Sequence, residues 1–272
     1  MAETGGAGAV AAYRAVLASR VRAQLSYRTS FAADLASNVG IGVSEFATLY
    51  VVFSQVPTLG GLDVWQASLV FALANVTFAL ADLLVGHLDT LPAHLRSGTL
   101  DAFLLRPMPV LAQLVTSDVS LRRAGRVLVG VVVLAVAWPR TGIALDARAL
   151  GLLAVALVGG TAIFCAVFVL AGACQFWLLD GREAVNSITY GGANAAQYPS
   201  SLYGAPLRWL FCYVVPTAFV AYLPVLVLIG EPGPPGLPSW LGWTSPLAAL
   251  ALGAAALLLW RAGLRRYTGS GS

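Results

Sequence analysis

The feature that most constrains this chain is a run of 31 residues, Ala149 to Leu179, without one charged side chain. About 20 apolar residues in a helix suffice to cross the hydrocarbon core of a bilayer, so the run is long enough with residues to spare. The remainder of the chain does not offset it. Charged residues make up 10% of the 272 positions, hydrophobic residues 58%, and the mean hydropathy is +0.80. A soluble domain carries about 25% charged residues. A chain this poor in charge cannot face water on all sides, and its length allows six or seven helical spans with short loops and no separate soluble domain.

The pattern along the chain predicts an all-α integral membrane fold with six transmembrane helices in a single domain over residues 1–272. The spans are expected at about 34–56, 64–87, 124–139, 149–179, 209–230 and 241–260. The third, a valine-rich run, is short unless its first turns near Ala124 also enter the membrane. The fifth is bent by Pro216 and Pro224. Before the first span, Val10, Tyr13, Leu17, Val21 and Leu25 recur at helical spacing among Arg14, Arg20, Arg22 and Arg28. That pattern predicts an amphipathic helix over 10–30 lying in the interface. Residues 184–207 carry no charge but hold Asn186, Asn194, Gln197, Pro199 and Pro206. Such a stretch does not make a stable lipid-facing helix and is read as interfacial or protein-buried.

Orientation follows from the arginines. With both termini cytoplasmic, fourteen of the sixteen fall in inside segments and only Arg140 and Arg148 lie outside, as the positive-inside bias requires. The excess of cations therefore points to membrane topology and not to nucleic acid. Trp65, Trp138, Trp209, Trp240, Trp243 and Trp260 all fall near expected span ends, where interfacial tryptophans belong.

All sixteen cations are arginine; the sequence has no lysine. A P-loop needs a lysine on the β/γ-phosphates, and Schiff-base chemistry needs a lysine amine. Cys165, Cys174 and Cys212 sit in apolar runs without metal-ligand spacing and read as small buried side chains. His87 and His94, the only histidines, offer too few ligands for a metal. No catalytic motif or cofactor site is expected in this chain.

Two features remain. Glu45 falls near the middle of span one and Asn75 near the middle of span two. A charge at mid-helix costs about 2.5–3.5 kcal/mol on insertion scales, so Glu45 either faces a translocation path or bonds to another helix. The largest inside segment, residues 88–107, carries two apolar stripes, Leu88/Leu91/Leu95 and Leu100/Phe103/Leu104, interrupted at Gly98. They predict two short amphipathic helices along the membrane face, either a docking element for a soluble partner or a connector that caps spans two and three.

Within that segment, Arg96-Ser-Gly98-Thr-Leu100-Asp101-Ala-Phe-Leu104-Leu-Arg106-Pro107 resembles the R-x-G-x-L-D-x-x-L-L-R-P signature of ABC-2 type transporter permeases. It is most similar to the bacterial six-span subgroup that pairs with a separate ATPase chain. Tyr198-Pro199 followed by Tyr203, Arg208 and the Pro216/Pro224 span agrees, as does the Arg265-Arg266-Tyr267 end. The resemblance implies an export permease in the bacterial cytoplasmic (inner) membrane, working with a second copy or a sibling permease and with two ATP-binding cassette ATPase subunits. ATP and Mg would sit on those ATPase subunits. The helix at 10–30 and the segment 88–107 would contact the ATPase, with Arg96, Asp101 and Arg106 at that contact or on lipid headgroups. The conduit would form at the permease dimer interface, from spans one, two and five. The rival readings are an ion-coupled carrier using Glu45 and Asp82, which lacks the expected inverted repeat, and a lipid-modifying membrane enzyme, which lacks a convergent set of reactive groups.

Overall fold

The computed structural model describes residues 28–117, 121–178, 182–234 and 237–268. The interfacial helix expected over 10–30 lies outside the described residues except for its last three, and the Gly-Ser-Gly-Ser tail lies outside them entirely. Helix α1 spans Arg28–Ser54 and α2 spans Val64–Val85. Gly60 and Gly61, at φ of 65° and 86°, turn the chain between them. Asp63 then caps α2: its Oδ1 accepts the backbone N–H of Trp65 and Gln66 at 2.8 and 2.9 Å. Gln66 Oε1 in return accepts the N–H of Asp63 at 3.0 Å, which completes a capping box. A 3-10 turn, Gly86–Thr90, and three short helices follow: α3 (Leu91–Arg96), α4 (Leu100–Leu104) and α5 (Val110–Ser117). The remaining long elements are α6 (Ala124–Ala137), α7 (Ala147–Cys174) and α8 (Arg182–Ala196). The chain ends with α9 (Ala205–Trp209), α10 (Tyr222–Ile229) and α11 (Ser245–Arg266). No β-strand occurs among the described residues.

Helix α2 is the axle. From Ala67 to Ala79 every side chain is buried, with α6, α7, α8 and α10 packed around it. Close approach depends on small residues, as expected between helices that gain nothing hydrophobic from lipid. A Cβ on Gly130 of α6 would lie 2.6 Å from Val76 Cγ2 and 3.1 Å from the Ala72 carbonyl oxygen of α2. One on Gly125 would lie 2.9 Å from the Leu35 carbonyl oxygen of α1.

These approaches also give the directions. Gly125 sits by Leu35 and Gly42 by Val129, so α1 and α6 run parallel; Gly159 sits by Ser245 and Gly263 by Phe176, so α7 and α11 do too. The start of α1, the Gly86 turn, the start of α6 and the end of α11 share one end of the bundle, the Gly86 end. At the opposite, Gly60 end, the Ser201 hydroxyl donates to the Gly60 carbonyl at 2.7 Å. There too the Arg140 guanidinium lies 4.5 Å from the centre of the Trp65 ring.

Among the described residues, four helical stretches are long and apolar enough to cross a membrane: Thr29–Ser54, Val64–Arg96, Ala147–Cys174 and Ser239–Arg266. The expected third span is the 14-residue α6, which does begin at Ala124. The expected fifth span, 209–230, is not one helix. After α9 it makes a π turn at Leu210–Val214, breaks at Pro216, and resumes through a 3-10 turn into α10. Pro216 supplies no backbone N–H, and the Thr217 hydroxyl donates instead to the Phe211 carbonyl at 2.8 Å. Pro224, expected to bend the span, lies in the first turn of α10, where its missing N–H costs nothing. Residues 184–200 pack largely against protein: Val185, Thr189, Ala193, Ala195, Ala196, Gln197 and Ser200 are buried.

Two smaller expectations change. Trp260 is a core residue, 4% exposed and edge-on to Phe176, because α11 turns it toward the end of α7. Cys165 and Cys174 are half-buried, not enclosed. The packing at Gly130 yields a prediction: Gly130→Ala forces α2 and α6 apart at a backbone contact and costs about 1–3 kcal/mol. The loss is read as a lower Tm of the purified chain in detergent, and an unchanged Tm would contradict the close approach.

Candidate functional site

Inside the bundle, four elements converge on one carboxylate. Helix α1 carries Glu45 to the side where α2 and α6 meet. The Arg126 guanidinium, in the first turn of α6, pairs with Glu45 Oε1. Asn75 of α2 and Gln197, just past the end of α8, each donate a side-chain N–H to Glu45 Oε2 at 3.4 Å. The Glu45 and Arg126 side chains are 23% and 18% exposed. Arg126 also lies over the Phe78 ring at 6.0 Å, so part of its charge rests on an aromatic face. The cluster is not fully satisfied: Asn75 Oδ1 and Arg126 Nε are buried and lack a partner among the described residues.

The structure thus unites Glu45 and Asn75, the two polar residues that hydropathy singles out, and adds two that it misses. Arg126 reads as a loop arginine because it immediately precedes the valine run. Its side chain instead follows α6 into the bundle. Gln197 reads only as a residue unfit for lipid, and its partner lies 152 positions away in the chain.

A second polar group sits at the Gly86 end. Arg123, which precedes α6, pairs with Asp82 at 3.0 Å and donates to the Asp82 carbonyl at 2.6 Å. It crosses directly over Gly86, where a Cβ would collide with both side chains. In the next turn, the Tyr190 hydroxyl of α8 donates to Asp89 Oδ2 at 2.6 Å. Its ring packs edge-on to Phe78 and Phe168. Neither Arg123 nor Tyr190 carries any local signal that would mark it in the sequence.

The segment 88–107 forms two helical pieces joined at Gly98, which adopts φ of 68°. Leu88, Leu91, Leu95 and Leu100 are buried and pin it to the bundle. The joint is tied by His94 Nδ1 against the Thr99 hydroxyl at 2.8 Å and by the edge-on contact of His94 with Phe103. Burial holds the His94 imidazole below its ordinary pKa. Gln113 closes the far side, donating to the Phe103 and Met108 carbonyls at 2.9 and 2.7 Å. Asp101 is half-buried. Arg96, Leu104, Leu105, Arg106 and Pro107 remain exposed, Leu105 at 87%, and Arg106 lies over Phe103 at 5.7 Å. Leu104, expected in the buried stripe, points outward because the helix ends beside it.

The tyrosine motif lies apart from this segment. Tyr198 and Tyr203 are half-buried and Pro199 is buried. The Tyr203 hydroxyl donates to the Ala195 carbonyl at 3.0 Å and so staples the bend that leads from α8 to α9.

Glu45→Gln leaves the Arg126 charge without its counter-ion inside the bundle. Removing one partner of a buried pair costs about 3–5 kcal/mol, and partial exposure puts the expected loss near the lower figure. Glu45→Gln with Arg126→Gln removes both charges and recovers part of it. A double variant no more stable than Glu45→Gln alone, by thermal unfolding, would contradict the pairing.

No curated protein and no solved structure shows a match to the chain. A family model described as ABC-2 family transporter protein matches residues 39–271. The matched region takes in Glu45 and its three partners, the Gly98 joint and the tyrosine motif. The chain is therefore a member of the ABC-2 transporter family, whose proteins are membrane components of transport systems.

Proposed function

We propose that this chain is the permease subunit of an ATP-driven exporter, forming the translocation path with a second permease and powered by separate ATPase subunits. The observation that carries the reading is a polar face left open on α8. Glu183, Ser187 and Asn194, spaced to share one side of the helix, are exposed. Lipid does not accept such a face. It belongs on an aqueous path, and the partly buried Glu45–Arg126 pair is joined to the end of α8 through Gln197.

Six crossings follow if α6 and α8 accompany the four longer stretches. Helices α9 and α10 then form a hairpin that enters from the Gly60 end and returns to it. In that arrangement Arg208 moves to the outer face with Arg140 and Arg148, and ten of the thirteen described arginines stay at the Gly86 end, which remains the cytoplasmic side. A multi-pass place in the bacterial inner membrane fits that count. Helix α1 offers a surface for the second permease: Ser30, Ala33, Ser37, Gly40, Ser44 and Ala47, all exposed, recur at alternating spacings of three and four.

The chain has no lysine for a P-loop, so the hydrolysis is assigned to a partner. The exposed Leu104-Leu105 pair, an apolar knob between Arg96 and Arg106, is where that ATPase docks. Burying a leucine stabilises a contact by about 1.5–3 kcal/mol. Leu105→Asp is therefore expected to lower recovery of the partner ATPase by about tenfold or more, measured by co-purification in detergent. Transport by the purified chain alone in ATP-free liposomes would overturn the reading and favour an ion-coupled carrier.

A further inference from the structure

We propose that Tyr190 is the positioning residue through which the docking segment sets the Glu45–Arg126 pair; this rests on the permease reading above. The geometry carries it from both sides of the pair. On the glutamate side, Asp89 stands at the head of the docking segment and accepts the Tyr190 hydroxyl at 2.6 Å. Tyr190 lies on α8, and seven residues further on Gln197 donates to Glu45. A helix is stiff over two turns, so displacing the Asp89 turn moves the amide that holds Glu45. On the arginine side, Asp82 and Arg123 clamp the same turn across Gly86, and Arg123 precedes Arg126 by one helical turn. The Gly86–Thr90 turn, which leads into the docking segment, therefore holds each member of the pair by a separate route.

Tyr190 is also the point where the two routes touch. Its ring meets Phe78 with centroids 5.7 Å apart, and Phe78 is the ring beneath the Arg126 guanidinium. The hydroxyl thus tethers α8 to the docking segment, while the ring keeps α8 in register with α2. Removing the hydroxyl alone leaves the aromatic packing in place and severs only the tether.

The test uses the permease with its ATPase subunits in lipid nanodiscs. Cys165, Cys174 and Cys212 are replaced by Ala, and spin labels are placed at Val51→Cys on α1 and Val158→Cys on α7, both exposed. Electron–electron resonance reads the label separation without nucleotide and with Mg-ATP trapped by vanadate. The parent protein is expected to show a nucleotide-driven change in separation. Tyr190→Phe is expected to abolish it while the ATPase remains bound. Asp89→Asn, which keeps an acceptor for the hydroxyl, is expected to retain it. Gln197→Leu breaks the other end of the same route, and the Tyr190→Phe/Gln197→Leu double variant is expected to lose no more than either single one. A parent protein that does not respond to Mg-ATP overturns the permease reading itself. A parent that responds together with a Tyr190→Phe that responds equally overturns the role of Tyr190 and leaves the permease reading standing.

Discussion

Helix α1 is tied to the bundle by the charge pair between Glu45 and Arg126. Helix α1 is otherwise weakly fastened, with only 11% of its most apolar window buried. Apolar contact holds helices in water because water expels them; inside a bilayer the surrounding lipid is as apolar as the helix itself. What remains to hold α1 is close approach at small residues and the cost of leaving a charge unpaired. Gly42 and Gly125 supply the first, and Glu45 supplies the second. Because α2, α6 and the end of α8 all reach this carboxylate, one acidic residue ties α1 to three other elements at once.

Much of the architecture was legible from hydropathy, and the reason is physical. A membrane-crossing helix satisfies its own backbone, so its signal is local and additive over about 20 residues. Helices α1, α2, α7 and α11 carry that signal in full. The two-part segment around Gly98 was legible for a different local reason, since a break in leucine periodicity at a glycine marks a joint. Residues 209–230 misled because composition records apolarity without continuity. Pro216 ends a helix where the chain can turn among protein partners, and α8 and α10 provide them.

The polar site was half legible. Glu45 and Asn75 announce themselves because polarity is expensive where they sit. Their partners do not, because Arg126 and Gln197 reach them from positions 81 and 152 residues away. Arginine at the edge of a span is also the residue least informative about where its charge rests. Its long stem lets the guanidinium lie several ångströms from its own Cα.

Helix α8 has a consequence for how the protein is made. Its sequence, Arg182–Ala196, holds two charges, two asparagines and two adjacent glycines, too polar to partition alone from a protein-conducting channel into lipid. It can enter only against surfaces already in place, and its buried face matches α2 and α7. In the six-crossing arrangement proposed above, insertion would be ordered: the apolar helices go first and build the slot, and the polar helix follows as folding, not partitioning. A defect in α2 would then show itself as a topological error a hundred residues downstream.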